Sequence, residues 1–422
     1  MYGVLRFGWT LGTRHSLMMY GLPLIIAACL LLATRLAASI QTTIVMVIVP
    51  LGLAILTAEL ILTVPDRQEL QLMGARMVWR DNRAVAISRL RERGINAHYF
   101  ITPQEFGYGE STFARGRAPF IALGGISGTV TLLCNESGTD VIYTSDEHGF
   151  NNPTGIWNDS VDVALVGDSF VQGECVASGQ QLASLVRQAN PRTLNAGVAG
   201  AGPLSGLAVL REYVKEKRPS KVVWFFYEGN DMEDLAAEAR SPLARYADPR
   251  YSQRLFDRRS AIDSALEQHG DSVVRSGPRR FTGREKLRKV LLLRGLRGAL
   301  GLDAAGRPAT PRHDYELLGA TLNQAKQEVE AWGGRMYFAY LPERRRYDPR
   351  MAPSIGEDHN PTAVHRAVIE QVSRAGLPVI DLTPVFAAHP EPLSLWIWRR
   401  SHYSAEGYRI AADAVIEKLR IE

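Results

Sequence analysis

Cysteine is scarce, with three residues in a chain of 422. That is too few for the disulfide framework that holds small secreted domains together. Cys29 lies in an apolar segment, so Cys134 and Cys175 are the only pair available for bridging in the rest of the chain. A bridge there suits an oxidising compartment, and two buried free thiols fit the composition equally well. Low-complexity tracts are missing, as are helix-turn-helix, zinc and RNA-binding signatures, so nothing points to nucleic acid. The formal charge of +5 is spread along the chain and permits no more than a mild preference for anionic surfaces. The glycine-rich run "NAGVAGAGP" at residues 195–203 lacks the Gly-x-Gly-x-x-Gly spacing and the lysine of nucleotide loops. No Gly-x-Ser-x-Gly elbow surrounds Ser169, which argues against the α/β-hydrolase arrangement.

What is present is a folded composition, 46% hydrophobic and 22% charged, at a length above what one hydrophobic core usually supports. Two apolar stretches open the chain. Residues 16–34 carry no charge and residues 44–65 carry only Glu59. Each is near the roughly 20 residues that cross a bilayer's hydrocarbon core. A signal peptide has one such stretch and a small-residue cleavage site, so the pair reads as a transmembrane hairpin within residues 1–67. Two buried core helices are the bland alternative. Arg6 and Arg14 precede the first stretch, Arg35 lies in the link, and Arg67, Arg76, Arg80 and Arg83 follow the second. That bias puts both ends in the cytoplasm, whereas the chemistry below suits the outer face of a bacterial inner membrane, and the sequence leaves the face open.

Residues 68–93 read as a basic connecting helix. Residues 94–145 hold short β-prone runs broken by Gly and Asn, a small antiparallel region. From about residue 146 the chain is expected to form one large domain, with a helical insertion at about 235–310. Continuously apolar strands alternate with amphipathic helices there, which is the pattern of a parallel sheet covered on both faces. Ligands in such sheets bind beyond the carboxyl ends of the strands. That rule selects Gly167-Asp168-Ser169, the loop 195–202, and Gly229-Asn230-Asp231.

Taken singly these are weak signals. Gly-Asp-Ser makes ordinary turns, Asn230 is well placed to cap the helix after it, and a histidine before a helix, such as His402, is more often a surface residue. Their order, each at a strand end or before a helix, is more telling. Together with "SHYSAEGY" near the C-terminus they resemble the sequence blocks of the SGNH (GDSL-like) hydrolase superfamily, over roughly residues 145–422. The resemblance implies a flavodoxin-like three-layer α/β/α fold with a parallel sheet. It further implies Ser169 as nucleophile and His402 as general base. Ser169, Gly200 and Asn230 would be oxyanion donors, with Asp168 and Asp231 beside them as possible supports. The activity implied is that of a membrane-anchored serine esterase or O-acyltransferase. It would act on acyl esters, acetyl above all, of a cell-surface glycan, using no cofactor or metal. Its expected partners are the acylated glycan or acyl donor, the lipid bilayer and other proteins of membrane polysaccharide synthesis.

One departure stands out. The family usually has an aspartate three residues before the histidine, and here that position is Arg399. Arginine cannot accept the imidazole proton. Either His402 works in a dyad, or another acid replaces the missing one (Asp381 and Glu391 lie upstream), or catalysis is lost. Arg399 reads as a solvated residue or as a contact for an anionic substrate. A catalytically inactive glycan-binding or assembly subunit, or a phospholipase, are the competing functions. Three further features have a bland and a sharper reading. "SDEHGFNNP", with Asp146, His148 and Asn151, reads as a structural loop ahead of a metal site. Trp396 and Trp398 read as core ahead of a sugar platform. The leucine-faced basic segment 283–301 reads as a docked helix ahead of a lipid-bound one.

Overall fold

The computed structural model describes residues 32, 34–63, 83–108, 120–276, 293, 313–348, 360–398 and 401–421. The chain divides into two compact units, Met1–Gln71 with Arg280–Thr310, and Leu72–Arg279 with Pro311–Glu422.

In the first unit the described structure centres on helix α1 (Ala38–Thr63). Its stretch Ala38–Glu59, 22 residues, is the one helix among the described residues long and apolar enough to cross a membrane. The helix starts earlier than residue 44 because its polar first turns satisfy themselves. Thr42 and Thr43 donate to the carbonyls four residues back, and Gln41 Nε2 donates to the carbonyls of Thr34 and Leu36. Apart from Leu32 and Thr34, the first expected span lies outside the described residues, as do segment 283–301 (except residue 293) and Arg399.

The second unit opens with a three-stranded sheet of β1 (Ala97–Tyr99), β2 (Val130–Cys134) and β3 (Val141–Thr144). β2 and β3 pair antiparallel, but β1 pairs parallel with β2, which corrects the expectation of antiparallel pairing throughout. Parallel neighbours need a long crossover, and residues 100–129 provide it. Residues of this small sheet, among them Ala97, Leu132 and Tyr143, share one hydrophobic core with the main domain.

The main sheet is built from β4 (Val163–Gly167), β5 (Thr193–Gly197), β6 (Lys221–Tyr227), β7 (Arg335–Leu341) and β8 (Val379–Asp381). Their order is β5-β4-β6-β7-β8 and every pairing is parallel. This is the 2-1-3-4-5 order of flavodoxin-like sheets, whose switch point falls between the first and third strands, here β4 and β6. After β4 come α2 (Ser169–Gln172) and α3 (Leu182–Ala189), and after β5 comes α4 (Pro203–Val209). β6 leads into α5 (Asp231–Glu238) and α6 (Arg259–Ser276). α7 (Tyr315–Ala331) precedes β7, α8 (Pro361–Arg374) precedes β8, and α9 (Leu382–Ala387) and α10 (Ala405–Ile421) close the chain.

Alternation along the strands makes the layers. Val222, Trp224 and Phe226 of β6 and Met336, Phe338 and Tyr340 of β7 pack with Leu204, Leu322 and Val368 of α4, α7 and α8. Val223, Phe225, Tyr337 and Ala339 face the opposite way, onto Val186 of α3 and Ala411 and Val415 of α10. Both faces are buried, which is why the strands read as unbroken apolar runs. The expected fold class, a parallel-sheet α/β/α sandwich, is the one observed.

Candidate active site

Two glycines let the nucleophile turn form. A Cβ on Gly167 would lie 2.7 Å from Val171 Cγ2, and one on Gly197 would lie 2.3 Å from the Gln172 nitrogen. Without side chains there, β4 and β5 press directly against α2, and the chain turns sharply enough to present Ser169 as its first residue. Asp168 holds the turn from within, accepting the Phe170 N–H at 2.9 Å. Burial pushes the Asp168 carboxyl up to about 7. Its bond goes to its own turn, so Asp168 shapes the site without orienting the imidazole.

His402 arrives from the other end of the chain. A bridge between Trp396 and Tyr403 and a bond from Ile397 N–H to the His402 carbonyl (3.1 Å) fix its loop. Its ring rests at a tilt on Phe170, with centroids 4.9 Å apart. His402 Nε2 lies 2.8 Å from Ser169 Oγ, within reach for proton transfer.

The carboxylate that meets the imidazole at Nδ1 is Glu136, which no sequence pattern singles out. Its Oε2 lies 3.2 Å from His402 Nδ1 and also accepts the His402 backbone N–H at 3.1 Å. Glu136 sits on the β2–β3 hairpin tip, beside residues 137–140, which are exposed, yet it is itself only 7% exposed. Asp381 caps α9 and pairs with His365. Glu391 accepts only the bonds of its own turn, from Ser394. Among the described residues neither bonds to His402. Glu136 precedes the nucleophile in the chain and belongs to another sheet, so no local spacing marks it. The one clue was a carboxylate two residues from Cys134, whose possible partner Cys175 lies six residues after Ser169.

A second carboxylate competes for the base. Glu174 Oε2 lies 2.9 Å from His402 Nε2. Burial alone would depress the imidazole, but Glu136 and Glu174 outweigh it and raise His402 to about 10. The resting site therefore holds an imidazolium between two carboxylates.

The two remaining oxyanion candidates stand at the same carboxyl edge of the sheet. Gly200 lies in the loop after β5, with φ +71°, and a Cβ there would meet Thr102 Cβ at 3.3 Å. A left-handed backbone in close contact suits glycine. Asn230 ends the turn after β6, beside β4 at the switch point. Its amide donates one hydrogen to Asp234 at 2.7 Å, and a carboxamide has a second to give. Asp231 accepts the Tyr227 N–H at 2.9 Å and fixes this turn rather than reaching the imidazole. Glu238 stiffens the neighbouring loop by accepting the Gly202 and Leu204 N–H groups at 2.7 and 2.8 Å. The structure thus joins Ser169 to His402 directly and sets Gly200 and Asn230 beyond β5 and β6, the two strands that flank β4.

Cys134 and Cys175 are joined as a disulfide, Cα–Cα 5.2 Å, which resolves the choice between bridge and thiols. With Glu136 and His402 they offer four ligand atoms within 4.8 Å of one another. Sulfurs bonded to each other are not thiolates, however, so this oxidised cluster lacks the donors a soft metal takes. In the 145–152 loop, Asp146 accepts from the His148 and Phe150 N–H groups, Asn152 Nδ2 and Trp157 Nε1. His148 stacks on Phe256 at 4.2 Å. Asn151 Nδ2 donates to the Gln172 carbonyl at 2.8 Å, so the loop buttresses α2. Trp396 packs against Tyr347, Phe386 and Tyr403, and Trp398 is 9% exposed, both buried rather than presented to a ligand.

No protein-family model matches the chain, and no curated protein does. Among solved structures it is similar to a lipase/acylhydrolase from Enterococcus faecalis, at 16% identity over 62% of this chain and 95% of that one, TM-score 0.36. An acetyl xylan esterase, AlAXEase, is similar at 14% identity over 61% of this chain and 100% of that one, TM-score 0.36. TesA follows at 13% identity over 62% of this chain and 98% of that one, TM-score 0.34. Likeness at this level carries no weight of its own. Strand order and side-chain geometry have to support any reading.

Proposed function

We propose that this chain is a membrane-anchored serine esterase or O-acyltransferase of SGNH type. The observation that carries the reading is the chain of contacts Ser169 Oγ–His402 Nε2 and His402 Nδ1–Glu136 Oε2, at 2.8 and 3.2 Å. Ser169 Oγ attacks the ester carbonyl while His402 Nε2 takes its proton, and Glu136 holds the imidazole in register and stabilises its charged form. The tetrahedral oxyanion is met by the N–H groups of Ser169 and Gly200 and by the free amide hydrogen of Asn230. Collapse expels the alcohol, protonated by His402, and leaves acyl-Ser169. Water or a sugar hydroxyl then attacks it, with His402 again taking and returning one proton.

Acetyl esters of a surface polysaccharide are the substrate class proposed. A hydrophobic helix long enough for a membrane anchor supports it, and so does a disulfide of the kind found in oxidising compartments. One charge in the opposing tally is also accounted for, since Arg83 pairs with Glu105 at 2.8 Å inside the second unit. The test is acetate release from O-acetylated polysaccharides and aryl acetates, compared with fatty-acid release from phospholipid. Acetate release by wild type and none by Ser169→Ala is expected. Turnover confined to phospholipid moves the reading to a lipase. Glycan binding without turnover moves it to a binding subunit.

A further inference from the structure

The turn beside Glu136 is open to solvent, although Glu136 itself is buried. Residues 137–140 are exposed, and Asn135 Nδ2 and Asp140 bond to each other across the turn at 2.5 Å. Among the described residues, two links join the tip to the catalytic edge. One is Glu136 on His402. The other is the disulfide, which joins Cys134, the last residue of β2, to Cys175. Cys175 is equally exceptional on its own side. It follows Gly173 (φ +93°) and itself has φ +71°, a left-handed backbone that costs a non-glycine residue stability. Gly173 and Glu174 N–H groups both reach back to the Ser169 carbonyl at 3.0 Å. The bridge therefore runs from the end of the strand that leads into the Glu136 turn to the turn bearing Glu174, and Cys175 Sγ lies 3.3 Å from His402 Nδ1.

We propose that the Cys134–Cys175 disulfide is a latch that keeps Glu136 on His402, so that the triad is assembled in the oxidised chain and dismantled when the bridge is reduced. This rests on the reading of Ser169 and His402 as nucleophile and base. Opening the latch is ordinary exchange: a dithiol reductant gives up two electrons and two protons, the S–S bond becomes two thiols, and the reductant leaves as its own disulfide. Released from Cys175, the exposed turn gains freedom to move and carries Glu136 off Nδ1. His402 then keeps Glu174 at Nε2 and loses the carboxylate that orients Nδ1. The cysteines are positioning residues, acting through Glu136.

The test uses the full chain in detergent with a chelator present, oxidised or reduced by a phosphine after folding. Two quantities are read: the rate of labelling by a fluorophosphonate, and the titration of the His402 imidazole by NMR, assigned by its loss in His402→Gln. The groups facing that imidazole are Glu136, Glu174 and, through the field, Asp168. Reduction should slow labelling about a hundred-fold or more, as a misplaced catalytic group does, and move the imidazole titration down toward its ordinary range. The Cys134→Ser/Cys175→Ser variant should match reduced wild type. In a Glu136→Gln background reduction should cost nothing further, because the same contact cannot be lost twice.

A merely structural bridge predicts otherwise: reduced, folded wild type would label at the oxidised rate with His402 unmoved, or the cost would add in full to Glu136→Gln. Either result overturns the latch. Should oxidised wild type fail to label while its His402 titration still shifts on reduction, the latch stands and the esterase reading falls.

Discussion

His402 sets the first constraint at the scale of single residues. Held near 10 by Glu136 and Glu174, it is protonated at neutral pH and cannot yet accept the Ser169 proton. A group whose pKa is raised loses its proton only as pH climbs through the raised value. The rate in the free protein should therefore rise through the alkaline range toward about 10. Glu174→Gln removes one of the two charges and leaves Glu136 in place. Its pH profile should shift toward acid by about a unit or more, the size a neighbouring opposite charge commonly imposes. A profile already flat from neutral pH in wild type, or unmoved in Glu174→Gln, would show that Glu174 does not hold the base. Glu136→Gln should lower kcat by about a thousand-fold or more with KM little changed, since removing an imidazole's orienting acid acts on the transition state. A loss confined to KM would place Glu136 in binding instead.

At the scale of elements, the nucleophile turn depends on space. Gly197 lies where a Cβ would fall 2.3 Å from the Gln172 nitrogen, a backbone atom that cannot swing aside. Gly197→Ala should destabilise the protein by about 3 kcal/mol and slow labelling of Ser169, read together by thermal unfolding and labelling rate. Unchanged stability would mean that β5 and α2 do not press together as described. The same elements show what could be read in the sequence. β4 through β8 were visible as apolar runs because both faces are buried, and Ser169 and Asn230 were visible because each follows such a run. Parallel pairing of β1 with β2 was not legible, since neither strand shows which neighbour it takes. Glu136 was invisible for a related reason. It reaches His402 only through the packing of a second sheet on the first, and a sequence does not display contacts between residues 266 positions apart.

At the scale of the whole molecule, buried ionisable groups tie stability to pH. Burial first of all raises Glu238 to about 7, and likewise Asp168 and Glu343. Such carboxyls stay protonated in the folded chain when the unfolded chain has lost the proton, so stability falls as pH rises from their ordinary values to about 7. His402 works in the same direction at higher pH: its contribution is complete below 6.5 and lost as pH rises through about 10. His148, lowered by burial to about 4, opposes them between that value and 6.5. The melting temperature should accordingly fall from mildly acid to alkaline pH. Glu238→Gln, which has no proton to lose, should show a shallower fall up to neutral pH, and an equal or steeper one would count against a protonated Glu238. Ser169, His402 and Glu136, carried by distant parts of the chain, have to meet in one fold for the serine to act. The most direct test is fluorophosphonate labelling of the intact protein, with the adduct mapped by mass spectrometry. A single adduct on Ser169, abolished in His402→Ala, is the expected result. A folded wild type that takes no label, or takes it elsewhere, would contradict the account.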